Sequence, residues 1–291
     1  RYNPIPGDKE RPRFVVLDES YQAADGSEYR AGVWYFGIKP GKGENPPTLV
    51  QQWICSPLHV DAVTYDHAGG NFGRLLRFRN TLGKWGQWAM PMEMLRSDAA
   101  DLRGVLLSMG VHLDPGNAGR QMLVNFLQSQ TPKRQMEAVL QTGWAGGQFK
   151  AYALPDCVIG PQASRVTFQS EVKGTDEYTQ RGTLDGWQQG IAAAAVGNPM
   201  LVLALCVAFA GPVLALVGAE SGGLHLIGDS STGKTTALQA AASVWGGDGF
   251  RRSWRTTANG LEGAAALFND SLLALDEISE CDPRDVGEVV Y

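Results

Sequence analysis

Cysteine is scarce in this chain: Cys55, Cys157, Cys206 and Cys281 are the whole complement, widely spaced and without a C-x-x-C pair. That spacing excludes a small disulfide scaffold and a thiolate zinc ribbon, and it points to a reducing compartment, the cytoplasm. Histidine is no more plentiful; Cys55, His59 and His67 come nearest to a metal cluster, and their irregular spacing in a strand-rich stretch fits structural roles. Basic charge is also short. Lys and Arg number 25 against 30 Asp and Glu, a net charge of -5. The whole chain therefore exerts no attraction on phosphate, and any grip on nucleic acid must come from a local basic patch or an assembled ring. No secretory signal opens the sequence, which starts at Arg1 and reads as a piece of a longer protein.

Long apolar runs are nearly absent, with one exception at residues 200–217, which carry no charge and reach the length of a spanning helix. Asn198-Pro199 opens a helix there, and Gly211-Pro212 is expected to break it after about 12 residues. No basic cluster flanks either end. The expectation is a helix buried against an α/β sheet, with no membrane involved.

Glycine, by contrast, is abundant, and the most informative glycines sit together. Gly228-Asp229-Ser230-Ser231-Thr232-Gly233-Lys234-Thr235 fits G-x-x-x-x-G-K-[ST], the phosphate-binding loop (P-loop, Walker A). Glycines let the backbone curl so that successive N–H groups face phosphate, and the following helix adds its positive end. Lys234 would reach the β- and γ-phosphates of ATP, Thr235 would give its hydroxyl to Mg2+, and Thr236 would touch an inner phosphate. Residues 223–227 are an apolar run expected as the preceding strand, and the alanine-rich 236–245 is a good helix former.

A second group supports the first. Ser271-Leu272-Leu273-Ala274-Leu275-Asp276-Glu277 reads as a buried strand ending in two carboxylates (Walker B), where open α/β sheets place their sites. Asp276 would hold Mg2+; Glu277 would orient and polarise the attacking water, making it and Lys234 the catalytic candidates. Only one strand, 249–254, and one helix, 261–268, are expected between the two groups. That compact interval resembles the AAA+ core and helicase superfamily three.

A wider likeness runs through the sequence. Residues 228–236, Trp254-Arg255-Thr256-Thr257-Ala258-Asn259-Gly260-Leu261-Glu262-Gly263 and Leu275-Asp276-Glu277-Ile278 resemble a bacterial family of unknown-function domains from phage, plasmid and prophage proteins. Ile54-Cys55-Ser56-Pro57-Leu58, Gly143-Trp144 and Ala153-Leu154-Pro155 extend the resemblance over most of the chain. Members often lie downstream of a primase domain and are described as helicases or inner-membrane proteins. The resemblance implies an α/β P-loop NTPase core and ATP-dependent work on single- or double-stranded DNA in a mobile element. It also implies a homo-oligomeric ring in the full-length protein and a primase domain as companion.

With 291 residues and 44% apolar content, two domains are expected. Residues 1–180 would form an α+β domain, a nucleic-acid or assembly module, and 181–291 a partial P-loop ATPase domain, with the polar segment 170–185 as linker. The best strands are 33–38, 48–54, 71–79 and 84–90, the last two a hairpin around residues 80–83. Helices 98–109 and 118–128 follow, the second capped by Asn117. Arg74, Arg77, Arg79 and Lys84, with Phe78, Trp85 and Trp88 between them, are the concentrated basic and aromatic stretch, a surface able to grip single-stranded nucleic acid. The alternative is a hairpin with one packed and one solvated face. Arg251, Arg252, Trp254 and Arg255 are expected in core packing and contacts with a neighbouring subunit.

The sequence ends at Tyr291, shortly after Glu277, so the core is expected to be C-terminally truncated and to bind and hydrolyse ATP weakly. Three functions fit: an ATP-driven mobile-element helicase or translocase; a non-translocating ATP-dependent switch, such as a loader or a defence-system sensor; and a nucleic-acid-binding or assembly module in which nucleotide is structural. A P-loop kinase fits less well, because paired carboxylates at a strand end suit water activation.

Overall fold

The computed structural model describes residues 3–41, 46–146, 148–169, 177–254 and 265–278. They form a mixed α/β structure of two compact units, Arg1–Met136 and Glu137–Tyr291. The division lies well before the boundary expected near residue 180. Part of the expected linker is built into the second unit: the Tyr178 hydroxyl donates to the Leu267 carbonyl at 2.7 Å, and Glu177 pairs with Arg252. Residues 170–176 of that segment lie outside the described residues.

In the first unit, β1 (Arg13–Leu17) is followed by a short pair, β2 (Tyr21–Gln22) and β3 (Glu28–Tyr29), then by β4 (Gly32–Lys39) and β5 (Thr48–Cys55). The sheet order is β1-β4-β5, antiparallel throughout. Next, β6 (Leu58–Tyr65), β7 (Gly73–Arg79) and β8 (Trp85–Pro91) form a second antiparallel run. The β7–β8 turn is tied by the Asn80 carboxamide, which accepts from Leu82 N–H at 3.0 Å and Lys84 N–H at 2.9 Å. Helices α1 (Ala100–Ser108) and α2 (Asn117–Ser129) bring Leu102, Leu106, Leu123 and Leu127 onto Ile54, Leu58, Leu76 and Met90 of the strands, one contiguous core. Asn117 is not the cap expected of it: it is the first residue of α2, and Gly116 stands at the cap position without a side-chain bond.

Strand β9 (Gln135–Val139) runs across the division. The second unit continues with β10 (Gly143–Ala145), β11 (Ala151–Ala153) and β12 (Val158–Ile159), an antiparallel sheet, and with β13 (Val166–Phe168), parallel to β9. Helices α3 (Leu184–Trp187) and α4 (Ala193–Ala195) flank a π-helical turn, Gln188–Ala192. They lead to α5 (Pro199–Val217), α6 (Lys234–Ala242) and the parallel pair β14 (Arg252–Ser253) and β15 (Leu275–Asp276).

Helix α5 departs from expectation twice. It runs unbroken through Pro212 to a left-handed Gly218, and only Ala204, Leu205 and Ala208 on it are buried, so it is not enclosed by a sheet. The unbroken course has a local cause. Proline has no N–H, so the Ala208 carbonyl one turn back loses its intrahelical donor; the Trp245 indole N–H supplies one at 2.9 Å. The Pro212 carbonyl in turn accepts from the Trp144 indole at 2.8 Å. Replacing Trp245 by Phe should therefore cost about 1–3 kcal/mol by leaving a buried carbonyl unpaired. Pro212→Ala, which restores the N–H, should shrink that cost; a urea-unfolding cycle over the four proteins reads the coupling.

The strand expected at 223–227 is not formed, and the run pairs with no described strand. Its Ile227 is 85% exposed. Strands expected at 249–254 and 271–277 shrink to Arg252–Ser253 and Leu275–Asp276, the first preceded by a 3-10 turn, Asp248–Phe250. Residues 261–264 of the expected helix 261–268 lie outside the described residues.

Candidate functional site

The glycine-rich loop and its helix meet as a curl of backbone ending in an open helix terminus. Ser231 and Gly233 both take left-handed backbone, φ 63° and 88°, the conformation used where successive N–H groups converge on an anion. Gly233 is the N-cap of α6 and no side chain caps the first turn, so the N–H groups of that turn have no intrahelical partner. Lys234 folds back over the loop: its ammonium donates to the carbonyls of Gly228 at 2.7 Å and Asp229 at 2.6 Å. Thr232 closes the curl by donating its hydroxyl to the Asp229 carbonyl at 2.8 Å. Left-handed backbone, free first-turn amides and a cation held by replaceable carbonyls together fit a polyphosphate. Ser230, Thr235 and Thr236 lie on the same loop and first turn.

Helix α6 is seated by small residues. Ala237 and Ala241 pack on Ala204 and Ala208 of α5, with Leu226 and Leu272 beside them. Leu272 and Leu273 also join Leu238, Ala242 and Phe250 in a neighbouring cluster. The apolar run before Asp276 thus rests on the helix that the loop opens.

The turn that feeds this run is clamped from several sides. The Thr142 hydroxyl donates to the Leu267 carbonyl at 2.8 Å, Tyr152 donates to the Asp270 carbonyl at 2.7 Å, and the Asp270 carboxylate accepts from Trp144 N–H at 2.9 Å. Burial pushes the pKa of both Tyr152 and Tyr178 upward, so both hydroxyls remain donors through the physiological range. Of this clamp the sequence singles out only Trp144, through the family resemblance; Thr142, Tyr152 and Asp270 are scattered residues that no local pattern marks.

Asp276 stands at the end of β15, its backbone carbonyl accepting from Trp254 N–H at 3.1 Å. One carboxylate oxygen accepts from Glu277 N–H at 2.9 Å; the other lies 3.2 Å from the Arg251 guanidinium. Glu277 is exposed, with left-handed backbone at φ 64°. Among the described residues no hydrogen bond or ion pair joins the loop to either carboxylate; the packing through Leu272 connects them. Arg251 lies immediately before β14, the parallel neighbour of the strand that ends in Asp276, and that pairing brings the two side chains together.

The basic hairpin in the first unit does not present one surface. Strand alternation puts Arg77 and Arg79 on one face of β7 and Arg74 on the other, with Leu76 and Phe78. Arg77 donates to Asp61 at 2.8 Å and lies over the Trp85 ring, and Arg79 pairs with Glu19 at 2.8 Å. Arg74 bonds its neighbour's carbonyl, at Gly73. Phe78 and Trp88 belong to the core, which leaves Lys84 and Trp85 as the exposed members of the group.

A sequence model of one family matches residues 25–291, nearly the whole chain. The chain belongs to the family described as "Domain of unknown function (DUF927)". Among solved structures, this DUF927 chain is similar to a protein titled "SCCmec type IV Cch - active helicase", with a TM-score of 0.60 and 22% identity. The likeness covers 86% of this chain and 47% of that one. It shows a shared fold over about half of that protein's length. No curated protein matches the DUF927 chain.

Proposed function

We propose that the second unit of this DUF927 chain binds ATP with Mg2+ and hydrolyses it as the nucleotide-driven part of a mobile-element helicase or DNA translocase. One observation carries the reading: the loop at 228–235 curls into the uncapped first turn of α6, and the Asp276–Glu277 pair ends a run packed on that same helix. Nucleotide phosphates would face the loop amides, and Lys234 would exchange the Gly228 and Asp229 carbonyls for phosphate oxygens. The hydroxyl of Thr235 and the carboxylate of Asp276 offer the hard oxygens that Mg2+ takes, and bound Mg2+ neutralises charge on the phosphates. Glu277, exposed and next in sequence, orients the attacking water and accepts its proton. The likeness to a mobile-element helicase supports DNA as the polymer acted on.

In this reading the ring of the full-length protein supplies the grip on DNA, a primase domain is its companion, and the setting is cytoplasmic. By length and composition α5 could cross a membrane. Its carbonyls at Ala208 and Pro212, however, are bonded to Trp245 and Trp144 of the same unit, which supports a helix docked on the nucleotide fold. A second reading, a non-translocating switch, loader or assembly module, is favoured by the acid partners of Arg77 and Arg79.

Steady-state ATP hydrolysis with and without single-stranded DNA separates the two. Turnover that rises with DNA and disappears in Lys234→Ala supports the motor; turnover indifferent to DNA supports the switch. No turnover in either condition, with no nucleotide binding, would sink both.

A further inference from the structure

We propose that Arg251 is a positioning residue and charge placeholder for Asp276: it holds this carboxylate while the nucleotide site is empty, and releases it to Mg2+ as its own guanidinium turns to the triphosphate. The inference rests on the nucleotide reading above and adds to it how metal and nucleotide are coupled.

The pair is half-buried. Arg251 Nη1 lies 3.2 Å from Asp276 Oδ2, with side-chain exposures of 24% and 31%. Asp276 is the anion that Arg251 bonds among the described residues, and the guanidinium Nε is buried without a partner. The neighbouring Arg252 does not share this carboxylate, because it pairs with Glu177, itself 8% exposed, and lies near the Phe268 ring. Strands β14 and β15 run parallel with Ser253 opposite Asp276, so the backbone ladder sets the position of the pair.

Two consequences follow from charge. A cation arriving at Asp276 meets Arg251 already there, so Mg2+ alone is opposed by like charge and by the loss of an ion pair. A half-buried guanidinium stripped of its carboxylate also needs another anion. A triphosphate supplies one in a form that guanidinium groups recognise well. Mg2+ and nucleotide therefore bind together better than either binds alone, through the exchange of a single ion pair.

The test is binding of a fluorescent ATP analogue in EDTA and over a Mg2+ titration, for wild type, Arg251→Gln, Arg251→Lys and Lys234→Ala. An ion pair of this exposure sets the scale at about fivefold. Arg251→Gln should lower the Mg2+ concentration for half-saturation by about that factor and weaken Mg2+-free binding by a similar one. Arg251→Lys, which keeps the charge but not the planar guanidinium fork, should fall between wild type and Arg251→Gln. An unchanged or raised Mg2+ requirement in Arg251→Gln, with wild-type melting temperature, overturns the inference; so does a lysine variant that behaves like glutamine. Absence of saturable binding in wild type, or binding untouched by Lys234→Ala, sinks the nucleotide reading itself. If Arg251→Gln does not fold, Mn2+ binding to wild type decides by electron paramagnetic resonance. Weak binding without nucleotide supports a carboxylate already held by Arg251, and tight binding without nucleotide overturns it.

Discussion

Glu277→Gln should slow ATP hydrolysis by about a hundredfold or more while leaving nucleotide affinity within about twofold, because it removes the proposed general base and keeps the shape of the side chain. The side chain is exposed at the end of β15, and its backbone N–H is held by Asp276 at 2.9 Å. Glutamine keeps that backbone bond, so the Asp276 carboxylate proposed to take the metal stays in place and only proton acceptance is lost. Single-turnover hydrolysis beside equilibrium binding separates the two effects. A variant that hydrolyses at the wild-type rate would remove Glu277 from the chemistry and leave the loop a binding site alone.

Gly211→Ala should destabilise the second unit by about 3 kcal/mol, where the same change in an open helix position usually stabilises by up to about 1 kcal/mol. A methyl group at residue 211 would overlap the Ser271 carbonyl group and lie 2.8 Å from the Ser271 Cα. The helix backbone and the start of the run to Asp276 are in direct contact, and neither can move without the other. Ser271 is also held by Tyr178, whose hydroxyl lies 2.8 Å from Ser271 Oγ. Gly104→Ala, in α1 of the first unit, is the control, since nothing lies within 4 Å of the added methyl. Melting curves should shift downward by about 10 °C for Gly211→Ala and slightly upward for Gly104→Ala. Equal shifts would show that the approach of α5 to Ser271 is looser than described.

Much of the first unit is legible from alternation and turn chemistry. The β7–β8 hairpin with its Asn80 turn is read directly, and β4 and β5 fall within a residue or two of expectation. Strand β6 lies outside the sequence expectation, although Leu58, Val60 and Ala62 alternate with His59 and Asp61 along it. The surface of the hairpin was less readable than its backbone. Interleaved arginines and aromatics look alike whether they meet DNA or Asp61 and Glu19, and those acids lie far away in sequence.

In the second unit, local motif and long-range packing part company. The octapeptide pattern specifies left-handed turns and a helix start, and these appear at Ser231, Gly233 and Lys234. Flanking strands depend on neighbours, and the apolar run 223–227 stays unpaired. Helix α5 continues through Pro212 against expectation, because the missing N–H is a local fact, while the indole that replaces it comes from Trp245, beyond the loop and helix.

The central claim is that the 228–235 loop grips nucleotide phosphate through Lys234, and equilibrium binding of a fluorescent ATP analogue to wild type and Lys234→Ala tests it most directly. The account predicts saturable Mg2+-dependent binding by wild type and a loss of affinity of at least about tenfold in the variant, the scale of a charge-assisted hydrogen bond. Equal affinity in a variant that melts like wild type would contradict it, and the loop would then be a helix cap with no nucleotide to hold.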